Sequence, residues 1–191
     1  MSLDLQAMTG GFDDAPVQSA RAFRAALDAL ARPGTIVTVA GAVPPGPLSV
    51  AAGVLLLTLA DGTTPVHLAG SWDCLLVRDW ITFHCGAPLV GPADAAFAVG
   101  DWAALQPVNR FAIGLADYPD RAVTLIVEMR ALTNKGARLT GPGIATDAQL
   151  SLPETAAFQN NRSLFPLGFD AFLTSGDRLA GLPRSTRVEA I

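Results

Sequence analysis

Charged side chains are scarce in this chain, and lysine is almost absent. Only 16% of the 191 residues are charged while 50% are hydrophobic, and the net charge is −4. Among thirteen basic residues Lys135 is the only lysine, and no run of Lys or Arg could neutralise successive phosphates. We therefore predict no binding to nucleic acid. The surplus of apolar residues favours a subunit interface and a homodimer of the isolated chain; the alternative is a well-buried core with a modest surface.

Long hydrophobic runs and cysteines are scarce as well. The longest apolar stretch, residues 50–60, is too short to span a bilayer and contains Gly53 and Thr58. No basic segment followed by an apolar one opens the chain, so we expect no signal peptide, no membrane partner and a cytoplasmic location. Cys74 and Cys85 are too few for a disulfide framework and form no C-x-x-C pair.

Side chains that bind metals or act as nucleophiles are equally few. The histidines and cysteines at positions 67, 74, 84 and 85 fit no common zinc spacing, and we predict no metal site. His84 and Cys85 are neighbours in a predicted strand, where consecutive side chains point to opposite faces and cannot form a catalytic pair. No two carboxylates are spaced to share one face of a helix, and no G-x-S-x-G elbow occurs. The sequence therefore predicts no catalytic residue.

Three segments have the pattern of helices. Asp14 and Pro16 open the first, which ends at residues 32–34. Its apolar stripe consists of Val17, Ala20, Phe23, Leu27 and Leu30. A second helix, predicted over residues 49–60, is apolar enough to be buried. A third begins at Pro153 and reaches about residue 160.

Short β-branched and apolar segments between these helices indicate strands. They cover residues 35–40, 65–68, 81–84, 96–99, 122–129, 137–140, 169–174 and 179–182. Residues 122–129 are predicted to pair with 137–140 as a hairpin, and a tight turn at 175–177 joins the last two strands. Strands interleaved with helices predict a single α/β domain over residues 17–191, with a mixed β-sheet flanked by helices. Residues 1–16 are predicted to form a loose leader.

Two polar segments are candidates for binding an anion. A glycine-rich turn follows Arg138, and the N–H groups near Gly141 and Gly143 are of the kind that form an anion-binding nest. Pro142 removes one donor and no GK[ST] follows, so this is not a Walker loop, and a plain turn is the alternative.

The second candidate lies near the C-terminus. Arg184 and Thr186 offer guanidinium and hydroxyl donors suited to phosphate or phosphonate oxygens. The alternatives are a solvated edge and a salt bridge to a partner subunit. Arg24 is either a surface arginine or half of a buried pair with Asp61 or Asp170.

Several short motifs follow one another along the chain. The region 165–186 reads FPLGFDAFLTSGDRLAGLPRST, 56–66 reads LLTLADGTTPV, 83–90 reads FHCGAPLV and 139–144 reads LTGPGI. Phe23-Arg24 lies in the first predicted helix, and Pro33-Gly34 ends it. Together, over residues 17 to 189, they resemble the H subunit (PhnH) family of the bacterial carbon–phosphorus lyase system.

This resemblance implies a fold similar to that of pyridoxal-phosphate-dependent transferases but without cofactor. Lys135, between Asn134 and Gly136, is placed for an exposed turn and not for a Schiff base. The resemblance also implies a complex with the G, I and J subunits. That system joins an alkylphosphonate to C1′ of the ribose of ATP and displaces adenine, giving for methylphosphonate α-D-ribose 1-methylphosphonate 5-triphosphate.

Within such a complex the expected contribution of this chain is scaffolding or shaping of the substrate site. The chain has neither the cysteine cluster of an iron–sulfur subunit nor a P-loop, which is consistent with an H subunit. Two alternatives remain at this point. One is a stand-alone enzyme that holds a small phosphorylated substrate with Arg138, the 141–143 turn and Arg184; the other is a sensor of nucleotide or phosphonate.

Overall fold

Two β-sheets organise the molecule. The computed structural model describes residues 5–191. The strands in that range are β1 (Val37–Thr38), β2 (Val66–Leu68), β3 (Phe97–Asp101), β4 (Thr124–Glu128), β5 (Ala137–Thr140), β6 (Ala148–Leu150), β7 (Asp170–Ser175), β8 (Arg178–Leu182) and β9 (Arg187–Glu189). A six-stranded sheet has the order β1-β8-β7-β4-β3-β2, and a smaller sheet has the order β6-β5-β9.

The large sheet mixes parallel and antiparallel strands. β2, β3, β4 and β7 are parallel, whereas β8 runs antiparallel to both β7 and β1. On the central strand β4, Ile126 lies opposite Val99 of β3 and Phe172 of β7. The apolar sequence of β4 follows from this position, because a central parallel strand is buried on both faces. The predicted mixed sheet is confirmed.

Three helices cover one face of the large sheet: α1 (Ala15–Ala31), α2 (Val50–Leu59) and α3 (Leu75–Cys85). Residues 51–56 of α2 are all buried, as expected for a helix that is apolar on every side. The Oγ of Ser49 caps its N-terminus by accepting a hydrogen bond from the Ala52 N–H at 3.1 Å. The buried helix predicted from the sequence is confirmed.

The opposite face is covered by α4 (Trp102–Leu105), α5 (Thr155–Ser163) and the small sheet. Leu139 of β5, Phe158 of α5 and Leu173 of β7 belong to one buried cluster on this side. The large sheet therefore separates two hydrophobic cores, and helices flank it as predicted. Within residues 5–191 no helix combines the length and the apolar character needed to cross a membrane.

The hairpin predicted near the C-terminus is confirmed. β7 and β8 pair with Thr174 opposite Leu179, and Ser175 opposite Arg178. The turn between them contains Gly176 at a φ of +60°, a conformation that glycine adopts without steric cost.

The strand predicted over residues 81–84 is wrong, because these residues belong to α3. Val77, Trp80 and Ile81 are its buried apolar residues, and their spacing of three and four is typical of a helix face. The four residues 81–84, over which the strand was predicted, contain only the end of this helical pattern. The helix ends at Gly86, whose φ of +65° gives the left-handed cap that often follows a helix.

The hairpin predicted between residues 122–129 and 137–140 is also wrong. β4 pairs with β3 and β7 in the large sheet, whereas β5 pairs with β6 and β9 in the small one. The reason is burial. Leu125, Ile126 and Val127 are all fully buried, so β4 requires a neighbouring strand on each side and a core on each face.

Two large apolar residues of α1 point away from the sheet. Phe23 is 53% exposed and Leu27 is 56% exposed, while Ala22, Ala26 and Ala29 are the buried residues of the helix. Small residues face the sheet because the helix backbone approaches it closely. A Cβ added to Gly181 of β8 would lie 2.7 Å from backbone atoms at residues 29 and 30.

Part of the predicted leader is packed against the core. Residues 1–4 lie outside the described part of the chain. Ala7, however, is fully buried in the core on the helix-covered face. The carbonyl oxygen of Thr9 accepts a hydrogen bond from Trp80 Nε1 at 3.0 Å. The boundary at residue 16 therefore does not coincide with the start of packed structure.

Candidate functional site

Arg184, a candidate anion ligand, is held inside the protein. Its Nη2 and Nε donate to the two carboxylate oxygens of Asp170 at 2.6 and 3.1 Å, and its Nη1 donates to the Pro119 carbonyl oxygen at 2.7 Å. The arginine side chain is 12% exposed. Asp170, offered by the sequence as a partner of Arg24, pairs with Arg184 instead. This arrangement ties the start of β7 and the chain after β8 to the loop at residue 119.

Arg138 is the more accessible of the two candidate arginines. Its side chain is 48% exposed on the outer face of β5, and its nearest carboxylates are Asp147 at 3.7 Å and Glu189 at 3.3 Å. Exposed pairs of this kind contribute little to stability. The guanidinium remains open to solvent and to an incoming anion.

The glycine-rich turn and the C-terminal segment meet in space. A Cβ added to Gly141 would lie 3.3 Å from the Ser185 carbonyl oxygen and 3.7 Å from the Thr186 Cα. Thr186 is 3% exposed, and its Oγ1 has no hydrogen-bond partner among the residues that the structure describes. Two of the candidate residues are thus neighbours, as their adjacent strands β5 and β9 require.

Gly143 is placed against the end of α1. A Cβ there would lie 1.9 Å from the Ala31 carbonyl oxygen, and Gly143 has a φ of +81°. No other residue fits so close to the helix. The carboxyl end of a helix carries partial negative charge, so this neighbourhood opposes the binding of an anion.

A partly buried carboxylate that the sequence interpretation missed lies at the carboxyl end of β4. Glu128 Oε1 accepts a hydrogen bond from the Ser49 N–H at 2.8 Å, and Oε2 accepts one from Thr174 Oγ1 at 3.0 Å. Burial raises the pKa of Glu128, and the hydrogen bonds from Ser49 and Thr174 oppose that rise. The group joins the N-terminus of α2 to two strand ends. In the sequence it is visible only as a glutamate at the end of an apolar strand. No neighbouring residue indicates that Ser49 and Thr174 are its hydrogen-bond partners.

The histidines and cysteines are engaged separately. His67 Nδ1 lies 3.0 Å from the Val90 carbonyl oxygen, and His84 Nε2 lies 3.2 Å from the Thr9 carbonyl oxygen. Burial raises the pKa of the Cys85 thiol to about 12, which disfavours a thiolate. His84 and Cys85 are consecutive on a helix, where neighbouring side chains do not face each other. Within residues 5–191 no three His, Cys, Asp or Glu side chains come together as a metal ion would require.

The fold and these contacts define a class of protein: an α/β domain in which side-chain hydrogen bonds, such as those of Arg184 and Glu128, connect strand ends, loops and helix termini. A family model described as bacterial phosphonate metabolism protein (PhnH) matches residues 10–189, and the chain belongs to this family. The resemblance identified from the motifs is therefore confirmed, and the match begins at residue 10 instead of 17.

A relative of known name agrees with the family match. It is the alpha-D-ribose 1-methylphosphonate 5-triphosphate synthase subunit PhnH of Rhizobium meliloti (strain 1021). The two sequences are 36% identical over an alignment of 200 positions, which covers 99% of each chain.

Proposed function

We propose that this chain is the H subunit of an α-D-ribose 1-methylphosphonate 5-triphosphate synthase and acts in the carbon–phosphorus lyase pathway. The observation that carries this proposal is the end-to-end match to a subunit of that name, at 36% identity over 99% of both chains. The substrates of the complete synthase are ATP and methylphosphonate, and the pathway is the breakdown of organic phosphonates.

Within the synthase we propose that the chain supports assembly and shapes the substrate site, with the G, I and J subunits as its partners in the cytoplasm. The engagement of Arg184 with Asp170 and the Pro119 carbonyl oxygen favours a structural function for this arginine. Arg138 is the candidate residue whose guanidinium, held only by the exposed carboxylates of Asp147 and Glu189, is accessible to a phosphorylated substrate or a partner's carboxylate.

We also propose that the isolated chain dimerises through the outer face of α1. Phe23 and Leu27, each more than half exposed, line an apolar groove together with Leu59 and Phe97. Large side chains at helical spacing are normally buried, so this face is suited to a partner. The partner that it fits is a second copy of the same face.

Charge on this face supports the symmetric arrangement. Arg24 makes no ion pair within residues 5–191. Arg24 and Asp28, one turn further along the helix, line a neighbouring groove that shares Phe23 and Leu27 with the first, and Asp28 is paired only with the exposed Arg32. In a two-fold symmetric contact between antiparallel helices, residue i of one copy meets residue j of the other, and j meets i. Arg24 of each copy then lies opposite Asp28 of its partner.

We further propose that the fold is a relative of the pyridoxal-phosphate transferase fold that carries no cofactor. The support is the chemistry of the single lysine. Lys135 is exposed in the turn before β5, where a Schiff base would be open to water.

Co-purification tests the main proposal. The tagged chain is expressed with and without the G, I and J subunits, analysed by native mass spectrometry and assayed with ATP and methylphosphonate. We expect a stoichiometric complex that forms the ribose phosphonate triphosphate only when this chain is present. A chain that turns over alone would be a stand-alone enzyme, and one that binds ligand without partners or turnover would be a sensor.

A further inference from the structure

A cavity of about 480 Å³ lies on the face of the large sheet opposite α1. It opens between α5 and the segment that follows α4, and none of the anion candidates lines it. Its apolar wall includes Phe111 and Phe169, which are 5% and 4% exposed. Cavities of this size with mainly apolar walls and a few polar groups are typical of small-molecule sites.

Three side-chain amides of this cavity are free. Gln106, Asn109 and Asn160 line it, and none of their amide groups has a hydrogen-bond partner among residues 5–191. The Nε2 of Gln106 is also buried, so that donor has neither protein partner nor open solvent. A buried donor without a partner is costly and rare in proteins, and a ligand atom that accepts from it removes the cost.

A fourth amide in the wall is different, and the difference is informative. Asn161 donates from Nδ2 to the Phe169 carbonyl oxygen at 2.8 Å, and its Oδ1 accepts from the Phe169 N–H at 2.9 Å. Both ends of this amide are used to fix the wall. Asn161 thus fixes the wall, whereas the Gln106 donor has no part in fixing it.

Charge in the cavity limits the ligand. Glu154 is the charged residue among those that line it, and its Oε2 is held at 2.8 Å by the indole Nε1 of Trp102. Arg110 and Arg162 are close in sequence but do not line the cavity, and their guanidinium groups lie over the rings of Phe111 and Phe165. With a carboxylate and no cation in its wall, the cavity is unsuited to a phosphate or phosphonate group.

We propose that this cavity binds a neutral aromatic heterocycle with a hydrogen-bond acceptor for the Gln106 amide and an amino donor for the Glu154 carboxylate. A nucleobase has this chemistry. Side-chain amides pair with the amino and ring-nitrogen edge of adenine, and aromatic side chains stack on bases. The inference rests on the cavity and not on the proposed function.

Binding to the isolated full-length chain tests the inference. Adenine and adenosine are titrated into the ¹⁵N-labelled protein, with amide shifts and calorimetry as the two readouts. We expect saturable binding that shifts resonances of residues 106–113 and 154–164. Inorganic phosphate and methylphosphonate should neither bind there nor compete, and adenosine monophosphate should bind no more tightly than adenosine.

Matched variants locate the site. Gln106→Leu keeps the side-chain size but removes the amide, and we expect adenine affinity to fall about tenfold. Gln149→Leu makes the same exchange at an exposed position on β6 outside the cavity, and affinity should not change. If the Gln106→Leu protein fails to fold, Asn160→Leu, at an exposed position on the rim of the cavity, becomes the deciding variant.

Three outcomes would overturn the inference: no saturable response to adenine, equal affinity in the wild type and the deciding cavity variant, or a much tighter complex with adenosine monophosphate than with adenosine. The co-purification experiment above is independent of all three. A complex that forms and makes product while adenine leaves the isolated chain unaffected would remove this inference and keep the proposed function.

Discussion

The guanidinium of Arg184 donates to three oxygens of its own chain, two on Asp170 and one at Pro119. At the scale of single residues, these three hydrogen bonds are the observation that best distinguishes a structural arginine from one that binds a ligand. Bidentate pairing in a largely buried position fixes the geometry of both partners. Removing one partner leaves the other charge poorly solvated and unpaired.

We therefore expect Arg184→Ala to lower the free energy of unfolding by about 2–3 kcal/mol. Urea denaturation measures this change. Arg138→Ala is the matched control, and since its ion pairs are exposed we expect a loss of about 0.5 kcal/mol or less. An Arg184→Ala protein with unchanged stability but an inactive synthase complex would instead assign this arginine to the substrate.

Glu128 gives a prediction about pH. Burial raises its pKa in the folded state, so the folded protein favours the protonated form relative to the unfolded chain. The stability contributed by this group is fully present below the unfolded pKa and is lost as pH rises through the folded pKa. The variant Glu128→Gln stays neutral at every pH and lacks this dependence.

The measurement is the unfolding free energy of wild type minus that of Glu128→Gln, followed from about pH 4 to pH 8. We expect this difference to decrease as pH rises, because the wild type loses stability relative to Glu128→Gln. A difference that is constant over this range would mean that Glu128 titrates alike in the folded and unfolded states.

At the scale of elements, α1 presents alanines to the sheet and large apolar residues to solvent. We expect the double variant Phe23→Ser, Leu27→Ser to be monomeric and to keep its melting temperature within a few degrees, because both side chains are more than half exposed. Native mass spectrometry and light scattering at micromolar concentration measure the mass. A wild-type chain that is itself a monomer under these conditions would reject the dimer.

The inner face of the same helix is the control for that variant. Ala29 is fully buried and does not line the groove, so Ala29→Leu overpacks the core and should cost about 1–3 kcal/mol without affecting the outer face. Loss of the dimer in this variant at temperatures where it remains folded would mean that the interface lies elsewhere.

The close approach of α1 to β8 is a separate prediction at this scale. In Gly181→Ala the new methyl group would lie 2.7 Å from helix backbone atoms, so the helix must shift, and we expect a loss of about 1–3 kcal/mol. Gly91→Ala is the control, because a Cβ there meets nothing within 4 Å and should change stability by no more than about 0.5 kcal/mol. Thermal and urea unfolding of the two variants give the comparison, and equal stability would refute a tight helix–sheet contact.

For the molecule as a whole, features fixed by neighbouring residues were predictable from the sequence. The capped apolar helix α2 and the turn at Gly176 are examples, since their signals lie within a few residues. The strand neighbours of β4 were not predictable, because they depend on burial of both faces by distant segments. The contact of Glu128 with Ser49 spans 79 positions and leaves no local pattern.

The single lysine provides a prediction at the molecular scale. After incubation with equimolar pyridoxal phosphate and reduction with borohydride, we expect no stoichiometric adduct on Lys135, because its exposed turn offers no pocket to stabilise a Schiff base. Peptide mass spectrometry distinguishes Lys135 from the N-terminal amine. A stoichiometric, site-specific adduct at Lys135 would restore a cofactor-binding function to the fold.

The pairing of β1 with β8 joins Val37 to Leu179. The layer built on α1 and α2 is therefore completed only after the ribosome has made β8 (Arg178–Leu182). Until the ribosome releases that strand, α2 has apolar surface on every side and an incomplete sheet to pack against. A nascent chain halted before residue 178 would thus be a client for chaperones, and loss of the C-terminal hairpin would harm solubility before it harmed any ligand site.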